Sequence, residues 1–598
     1  MRPRIRLQRL GFRAHRTHLT HPSHPLPPQH LTEGRACSSI AAFHPNPRPA
    51  PIAAHILSLM PIFRSLFLVS LALLLSVSAV AAGKPTPPNI VFIFADDWGW
   101  GDLASHSHPW LKTPHLDRLA REGTDFHQFN VLNPVCSPSR AAAMTGMFPS
   151  RFGIHQHFAA PAQNLARTMP DWLDARAPTI ARFLQQAGYR TAHFGKWHLT
   201  NRNTHGAPAP TAYGFDEFAV FNGGAETVSA DLHATPENAA RFIAANKDRP
   251  FYLNVWLHES HLPHVPTKAS LEKWQHLDEQ KRVYAAVITD GDSAVGRVLD
   301  ALEAAGVAHN TLVIFSSDNG PETTAAKTQQ SSRDDDAGVA GYGGYYSVGS
   351  SGGLRGEKRS LFEGGVRVPF LVRWPGHTPA STINTTTVLT AVDLLPTLCA
   401  AAGITLPSDY RGDGENLLAA LQGQPVKRTK PVFWAWTGKA ADPDWWPRLA
   451  VRDGDWKLLL TDAAKRVALH RLSTDRAEAV DVARDHPEIV ARLTQLALAW
   501  HATLPTTVDP SCISAADRTA AATTPTAPNA PNAPAKKIAP DRAAAFARMD
   551  TNHDGVLTLA EYVAGLKGAE NLEQRFKNFD KNGDGKLTRE EFVTPSGK

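Results

Sequence analysis

Three short runs of the chain are continuously apolar and then break at acids or polar groups: "NIVFIFADD" from Asn89, "FYLNVWLHESH" from Phe251 and "TLVIFSSDNG" from Thr311. Runs that do not alternate predict strands buried on both faces, as in a largely parallel sheet. Helical patterns lie between them. "TPHLDRLAREG" predicts a helix with Thr113 as N-cap, Pro114 in the first turn and Gly123 as stop. "APTIARFLQQAGY" closes in the same manner at Gly188, and Glu279–Ala305 predicts a long helix with Gly306 after it. Together these elements predict an α/β domain over residues 85–430. Residues 431–512 change character. "LAVRDGDWKLLL" predicts a pair of strands and "PEIVARLTQLALAWH" an amphipathic helix, giving a smaller α+β subdomain. The next stretch, 513–540, is dominated by Ala, Thr, Pro and Asn and predicts an extended linker. Residues 541–598 carry a duplicated motif.

The beginning of the chain alters the charge picture. "MPIFRSLFLVSLALLLSVSAVAAGK" has one early positive charge, Arg64, then an apolar run from Leu66 to Val80 and small residues at Ala79 and Ala81. This predicts a secretory signal peptide over 60–82, too short in its apolar run for a membrane span. Residues 1–59 show no periodicity and are read as a leader upstream of a true start at Met60. They carry eight arginines and one glutamate; with these and Arg64 set aside, the net charge falls from +6 to about −2. The sequence pI of 9.0 therefore gives no argument for nucleic-acid binding. A secreted or periplasmic location follows, without a membrane span after signal cleavage. The four cysteines, Cys37, Cys136, Cys399 and Cys512, do not make a disulfide framework, and at most Cys399 and Cys512 could pair.

In open α/β sheets ligands bind beyond the carboxyl ends of the strands. Asp96 and Asp97 end the first run, and Asp318 and Asn319 end the "TLVIFSSDNG" run. If the two strands are neighbours, four oxygen donors converge, a set suited to Ca²⁺ or Mg²⁺ rather than zinc. Asp and Asn are also common in plain strand-end turns. Cys136 stands before an Ala-rich helix in "NPVCSPSRAAAMTG", where free N–H groups favour negative charge. A thiolate nucleophile and an inert buried cysteine are both open readings. Neither accounts for Pro138 and Arg140.

"CSPSRAAAMTG" resembles the C-x-P-x-R signature of the formylglycine-dependent sulfatases. "NIVFIFADDWGWGD", "HFGKWHL", "HESHLPH", "FSSDNGPE" and "LRGEKRSLFEGGVRVP" resemble further blocks of that family, in its order, over roughly residues 88–505. The resemblance implies an alkaline-phosphatase-like fold, with a central largely parallel sheet flanked by helices. It also implies hydrolysis of sulfate esters, with a sulfated carbohydrate as the expected substrate. Cys136 would be oxidised by a separate formylglycine-generating enzyme to an aldehyde, hydrated to a diol, with Arg140 holding it. Ca²⁺ would be held by Asp96, Asp97, Asp318, Asn319 and an oxygen of modified residue 136. Lys196 and Lys358 would meet the sulfate oxygens. The diol would attack sulfur, and His261 would protonate the leaving alcohol. His198 would take the proton whose loss expels sulfate and restores the aldehyde. His261, which precedes Leu-Pro, is chosen over His258 and His264. Two rivals stand beside this reading: a phosphate or phosphonate ester hydrolase of the same superfamily, and a non-catalytic calcium-dependent glycan-binding protein.

"DTNHDGVLTLAE" and "DKNGDGKLTREE" both fit the EF-hand loop pattern, with starts 30 residues apart. The expected calcium donors are Asp550, Asn552, Asp554, Thr558 and Glu561, with the carbonyl of Val556. In the second loop they are Asp580, Asn582, Asp584, Thr588 and Glu591, with the carbonyl of Lys586. Gly555 and Gly585 fill the sixth position, where the loop turns sharply. An all-α EF-hand pair is expected. Finally, "DDDAGVAGYGGYYSVGSSGG" reads as a flexible loop, or as a substrate-facing lid carrying Tyr342, Tyr345 and Tyr346.

Overall fold

The computed structural model describes residues 86–323, 327–333, 340–438, 446–518, 542–566, 572–580 and 582–593. The leader, the signal segment and all of the linker beyond Arg518 lie outside the described residues.

The centre is an eight-stranded sheet. Its strands run in the spatial order Thr382–Asn384, Thr124–Phe126, Phe370–Arg373, Thr311–Ser317, Asn89–Ala95, Phe251–Trp256, Arg190–Lys196 and Glu217–Phe221. Every neighbouring pair is parallel except the two made by Phe370–Arg373. The continuous apolar runs have the reason expected of them. Ile90, Phe92 and Phe94 enter one core, whereas Val91, Ile93 and Ala95 enter another on the opposite face. Leu312 and Ile314 divide from Val313 and Phe315 in the same way. The second core is closed by the helices Pro114–Glu122, Thr235–Ala245 and Glu279–Ala304.

The first core continues into the smaller subdomain. Its antiparallel sheet joins Val432–Ala435, Leu449–Asp453, Trp456–Leu460 and Val467–Arg471. The helix Pro487–His501 packs across it, with Trp500 stacked on Phe433 at 4.9 Å. Trp434 Nε1 donates to the Val131 carbonyl at 2.8 Å, so the two parts share hydrogen bonds as well as a core. A buried charge cluster also joins them: Lys457 Nζ lies 2.8 Å from Glu363 and 3.1 Å from Glu478, all three fully buried. The chain stays attached beyond residue 512. Ser514 N–H donates to Asp171 at 2.9 Å, and Arg518 pairs with the same carboxylate at 2.9 Å. Cys136, Cys399 and Cys512 are free thiols, so the pairing the sequence allowed for the last two is not made.

The C-terminal module has a core of its own, formed by Phe546, Met549, Leu557, Tyr562, Phe576, Leu587 and Phe592. Four helices supply most of it: Arg542–Met549, Leu559–Gly565, Leu572–Phe579 and Arg589–Val593. A short antiparallel ladder between Val556–Thr558 and Lys586–Thr588 joins the two loops, a feature that the all-α expectation did not include.

Candidate active site

Parallel register places chemistry at one edge of the sheet. Ala95 pairs with Ser317, so Asp96 and Asp318 leave adjacent strands side by side. On the other flank Phe94 pairs with Trp256, and Trp256 with Gly195, which brings the "HESH" turn and Lys196 to the same edge. Gly195 is required there: its φ is +102°, and a Cβ would lie 2.0 Å from the Trp256 carbonyl. Asp97 itself turns with φ 58°, and its N–H donates to Asp318 Oδ1 at 3.2 Å.

Cys136 begins the helix Cys136–Thr145, all ten residues of which are buried, and Gly146 ends it in the left-handed region. This helix lays its first turn against the strand ends. Cys136 Sγ lies 3.6 Å from Asp96 Oδ1 and 3.7 Å from Lys196 Nζ. Lys196 also donates to Asp96 Oδ2 at 2.7 Å. One turn further along, Arg140 sends Nε and Nη2 to Asp318 Oδ2 at 2.9 and 2.6 Å. Its guanidinium rests over the Trp256 ring at 5.0 Å. Lys358 Nζ donates to Asp97 Oδ2 at 2.6 Å, and Asn319 Nδ2 to Asp97 Oδ1 at 2.7 Å. His261 Nε2 lies 3.8 Å from Asp97 Oδ2.

The site concentrates opposite charges out of water. Burial works against ionisation of Asp96, yet His261, Lys196 and Arg140 hold its carboxyl well below the usual range. Asp318 is pushed up to about 6 by burial and by Asp96, against Arg140. For His261, burial favours the neutral ring, but Asp96 and Asp97 outweigh it and hold the imidazole well above its ordinary value. Burial raises the Cys136 thiol, with Asp96 and Asp318 adding to it and Lys196 opposing. The thiolate reading of Cys136 gains no support from this environment.

The two ends of the sequence-based set behave differently. Asp96, Asp97, Cys136, Arg140, Lys196, Asp318, Asn319, His261 and Lys358 form one buried constellation. His198 is buried with φ 50°, and its Nε2 donates to the Phe158 carbonyl at 3.1 Å. Phe158 N–H in turn donates to Ser137 Oγ, which ties His198 to the Cys136 helix. His264 is turned elsewhere, toward Ser347 Oγ at 3.0 Å. His258 was passed over in the sequence, yet its Nδ1 lies 2.6 Å from Asp96 Oδ2 and its ring stacks on His261. Its position two residues after the strand Phe251–Trp256 was the available signal. Glu322, three residues after Asn319, was also missed. It lies 3.5 Å from Lys358 Nζ and 2.7 Å from Arg359 Nη1. Of the loop tyrosines, Tyr346 is buried and donates to Glu279, whereas Tyr342 is exposed and bridges His264 through the backbone.

In the C-terminal module Gly555 and Gly585 take φ of +84° and +77°, as the sixth loop position demands. Their N–H groups donate to Asp550 Oδ2 at 3.0 Å and Asp580 Oδ2 at 2.9 Å. Asp554 N–H and Asp584 N–H donate to Asn552 and Asn582 at 3.0 and 2.9 Å. Glu561 and Glu591 accept from Thr558 and Thr588, capping the exiting helices.

Comparison with known proteins places three stretches of the chain in known families. A family model described as Sulfatase matches residues 88–404. One described as N-sulphoglucosamine sulphohydrolase, C-terminal, matches 355–499, and one described as EF-hand domain pair matches 541–594. Human N-acetylgalactosamine-6-sulfatase is 33% identical over 394 residues, which cover 59% of this chain and 69% of that protein. Human arylsulfatase A is 33% identical over 400 residues, covering 60% and 72%. The crystal structure of Ps i-CgsB aligns with a TM-score of 0.59 at 25% identity, covering 69% of this chain and 93% of that one. The chain belongs to the sulfatase family and is a sulfuric ester hydrolase, with an EF-hand pair at its C-terminal end. Among the described residues no helix is long and apolar enough to cross a membrane.

Proposed function

We propose that this chain is an exported sulfatase of sulfated carbohydrates whose working residue is formylglycine made from Cys136. The observation that carries the proposal is the placement of Cys136 at the first turn of a buried helix, within 3.7 Å of both Asp96 and Lys196. The residues fit a calcium ion. Asp96, Asp97 and Asp318 are buried carboxylates, and Asn319 Oδ1 is buried with no hydrogen-bond partner among the described residues. An all-oxygen set of this kind suits a hard divalent cation. Asp96, Asp97, Asp318 and Asn319 would hold it, and when bound it would polarise a sulfate oxygen and acidify the attacking hydroxyl.

The remaining roles belong to the chain's own side chains. Lys196 and Lys358 bind the sulfate oxygens, whose negative charge grows in the transition state. Arg140 fixes Asp318 and the helix that presents residue 136. His261 gives a proton to the departing alcohol, and His198 accepts the proton that must leave before sulfate can go. The EF-hand loops bind calcium through Asp550, Asn552, Asp554, Val556, Thr558 and Glu561, and through Asp580, Asn582, Asp584, Lys586, Thr588 and Glu591. The segment 60–82 directs export.

A carbohydrate substrate is supported by the similarity to the relative named N-acetylgalactosamine-6-sulfatase. A panel of sulfated mono- and oligosaccharides, scored for sulfate release beside matched phosphate esters, tests the proposal. Turnover of at least one sulfated sugar well above its phosphate counterpart is expected. A large preference for phosphate, or binding of a glycan with no turnover by modified protein, would sink it.

A further inference from the structure

A second group of metal-ligand side chains lies apart from the strand-end constellation. His106, Asp125 and His127 place one ligand atom each within 4.8 Å of the others. Asp125 belongs to Thr124–Phe126, an inner strand between Phe370–Arg373 and Thr382–Asn384, and is 4% exposed. A carboxylate buried in a sheet is costly unless it is paired or ligates a metal. Here Oδ2 meets His106 Nε2 at 2.8 Å and His127 Nε2 at 3.4 Å. Asp125 Oδ1 is buried with no hydrogen-bond partner among the described residues, and His127 Nε2 also lacks hydrogen-bond geometry to any of them.

The tautomer of His106 sharpens the point. Its Nδ1 lies 2.6 Å from the Trp100 carbonyl, which can accept but never donate. The proton therefore sits on Nδ1, and a neutral ring turns the lone pair of Nε2 toward the Asp125 carboxylate. In that neutral form two acceptors face each other, which either a bound cation or a second ring proton resolves. An imidazole whose second nitrogen donates to a backbone carbonyl is also how proteins orient a metal-binding histidine. Trp100 stacks on His106 at 4.0 Å and meets the His127 ring edge-on at 5.2 Å, so both rings are held.

We propose that His106, Asp125 and His127 form a second metal site that takes a first-row divalent ion such as zinc. Two imidazoles and a carboxylate suit such an ion, whereas calcium prefers an oxygen set. Zinc bonds of ~2.0–2.1 Å in a tetrahedral site space the ligand atoms by roughly 3.3 Å. The His127 contact already has that spacing, and the His106 contact opens slightly. A fourth position, for water, is reachable because His127 lines a cavity of about 520 Å³ together with Arg367, Thr385 and Arg476. The ion would pin the turn Ala104–His106, which follows the acid pair, to the sheet.

Zinc titration of the calcium-saturated full chain by calorimetry tests this, with thermal unfolding as a second readout. One equivalent of zinc should bind at micromolar concentration or tighter and raise the unfolding temperature. His127→Ala and Asp125→Asn should each weaken that binding by about tenfold or more and remove the stabilisation. Absence of stoichiometric binding, or unchanged affinity in His127→Ala, would overturn the proposal. If Asp125→Asn does not fold, the partly exposed His127 position decides alone.

Discussion

Lys196 and Lys358 reach the acid pair from opposite sides, one on Asp96 and the other on Asp97. Burial opposes the charge on Lys358, but Asp97 and Glu322 raise its affinity for the proton, so it is a fixed cation. If its task is to meet charge developing on sulfate, Lys358→Ala should lower kcat by about 10²–10³. Circular dichroism should be unchanged, and a near-wild-type rate would show that the lysine only balances Asp97. Arg140→Lys should be nearly as damaging, because a point charge cannot reproduce the paired donation to Asp318. The strand-end acids were legible from the sequence because a buried parallel strand has one functional end. The placement of Lys196, His261 and Lys358 beside those acids was expected only through family resemblance. His258 was not, because three histidines share one short segment and spacing alone cannot say which faces Asp96.

Helices and strands were read well wherever caps and periodicity agreed. Pro114–Glu122 lies between Thr113 and Gly123, and Pro487–His501 spans its predicted stretch. The attachment of residues 513–518 was not legible, since Ala and Ser there carry no pattern and the partner, Asp171, lies more than 300 residues away. A chain ending at Arg518 should therefore keep its activity on a small aryl sulfate, whereas one ending at Asp509 should lose thermal stability by losing the ties to Asp171. Equal stability of the two truncations would contradict this. The seam between the two parts of the enzyme should also respond to pH. Burial, against the pull of Lys457 and with repulsion from Glu363, pushes the Glu478 carboxyl up to about 7. The folded state then holds a proton that the unfolded chain releases, so this contribution is full below the ordinary glutamate range and fades as pH rises through neutrality. The unfolding temperature should fall more in the wild type than in Glu478→Gln between about pH 5 and pH 8. Parallel pH profiles for the two proteins would refute that.

At the scale of the whole molecule, calcium is expected to act in two separate places. The EF-hand module has its own apolar core and its own ladder, so calcium should stabilise it without the sulfatase sheet. In calorimetry, a calcium-dependent transition should be present in the full chain and missing from the chain ending at Arg518. A calcium response that is identical in both would place the effect in the sheet instead. The central claim concerns residue 136, and one measurement reaches it directly: the mass of the peptide spanning that residue, taken on the same sample whose sulfatase turnover is measured. Turnover should rise in proportion to the fraction carrying the aldehyde, and Cys136→Ala should have none. Full activity from a sample in which residue 136 is entirely unmodified cysteine would contradict the account.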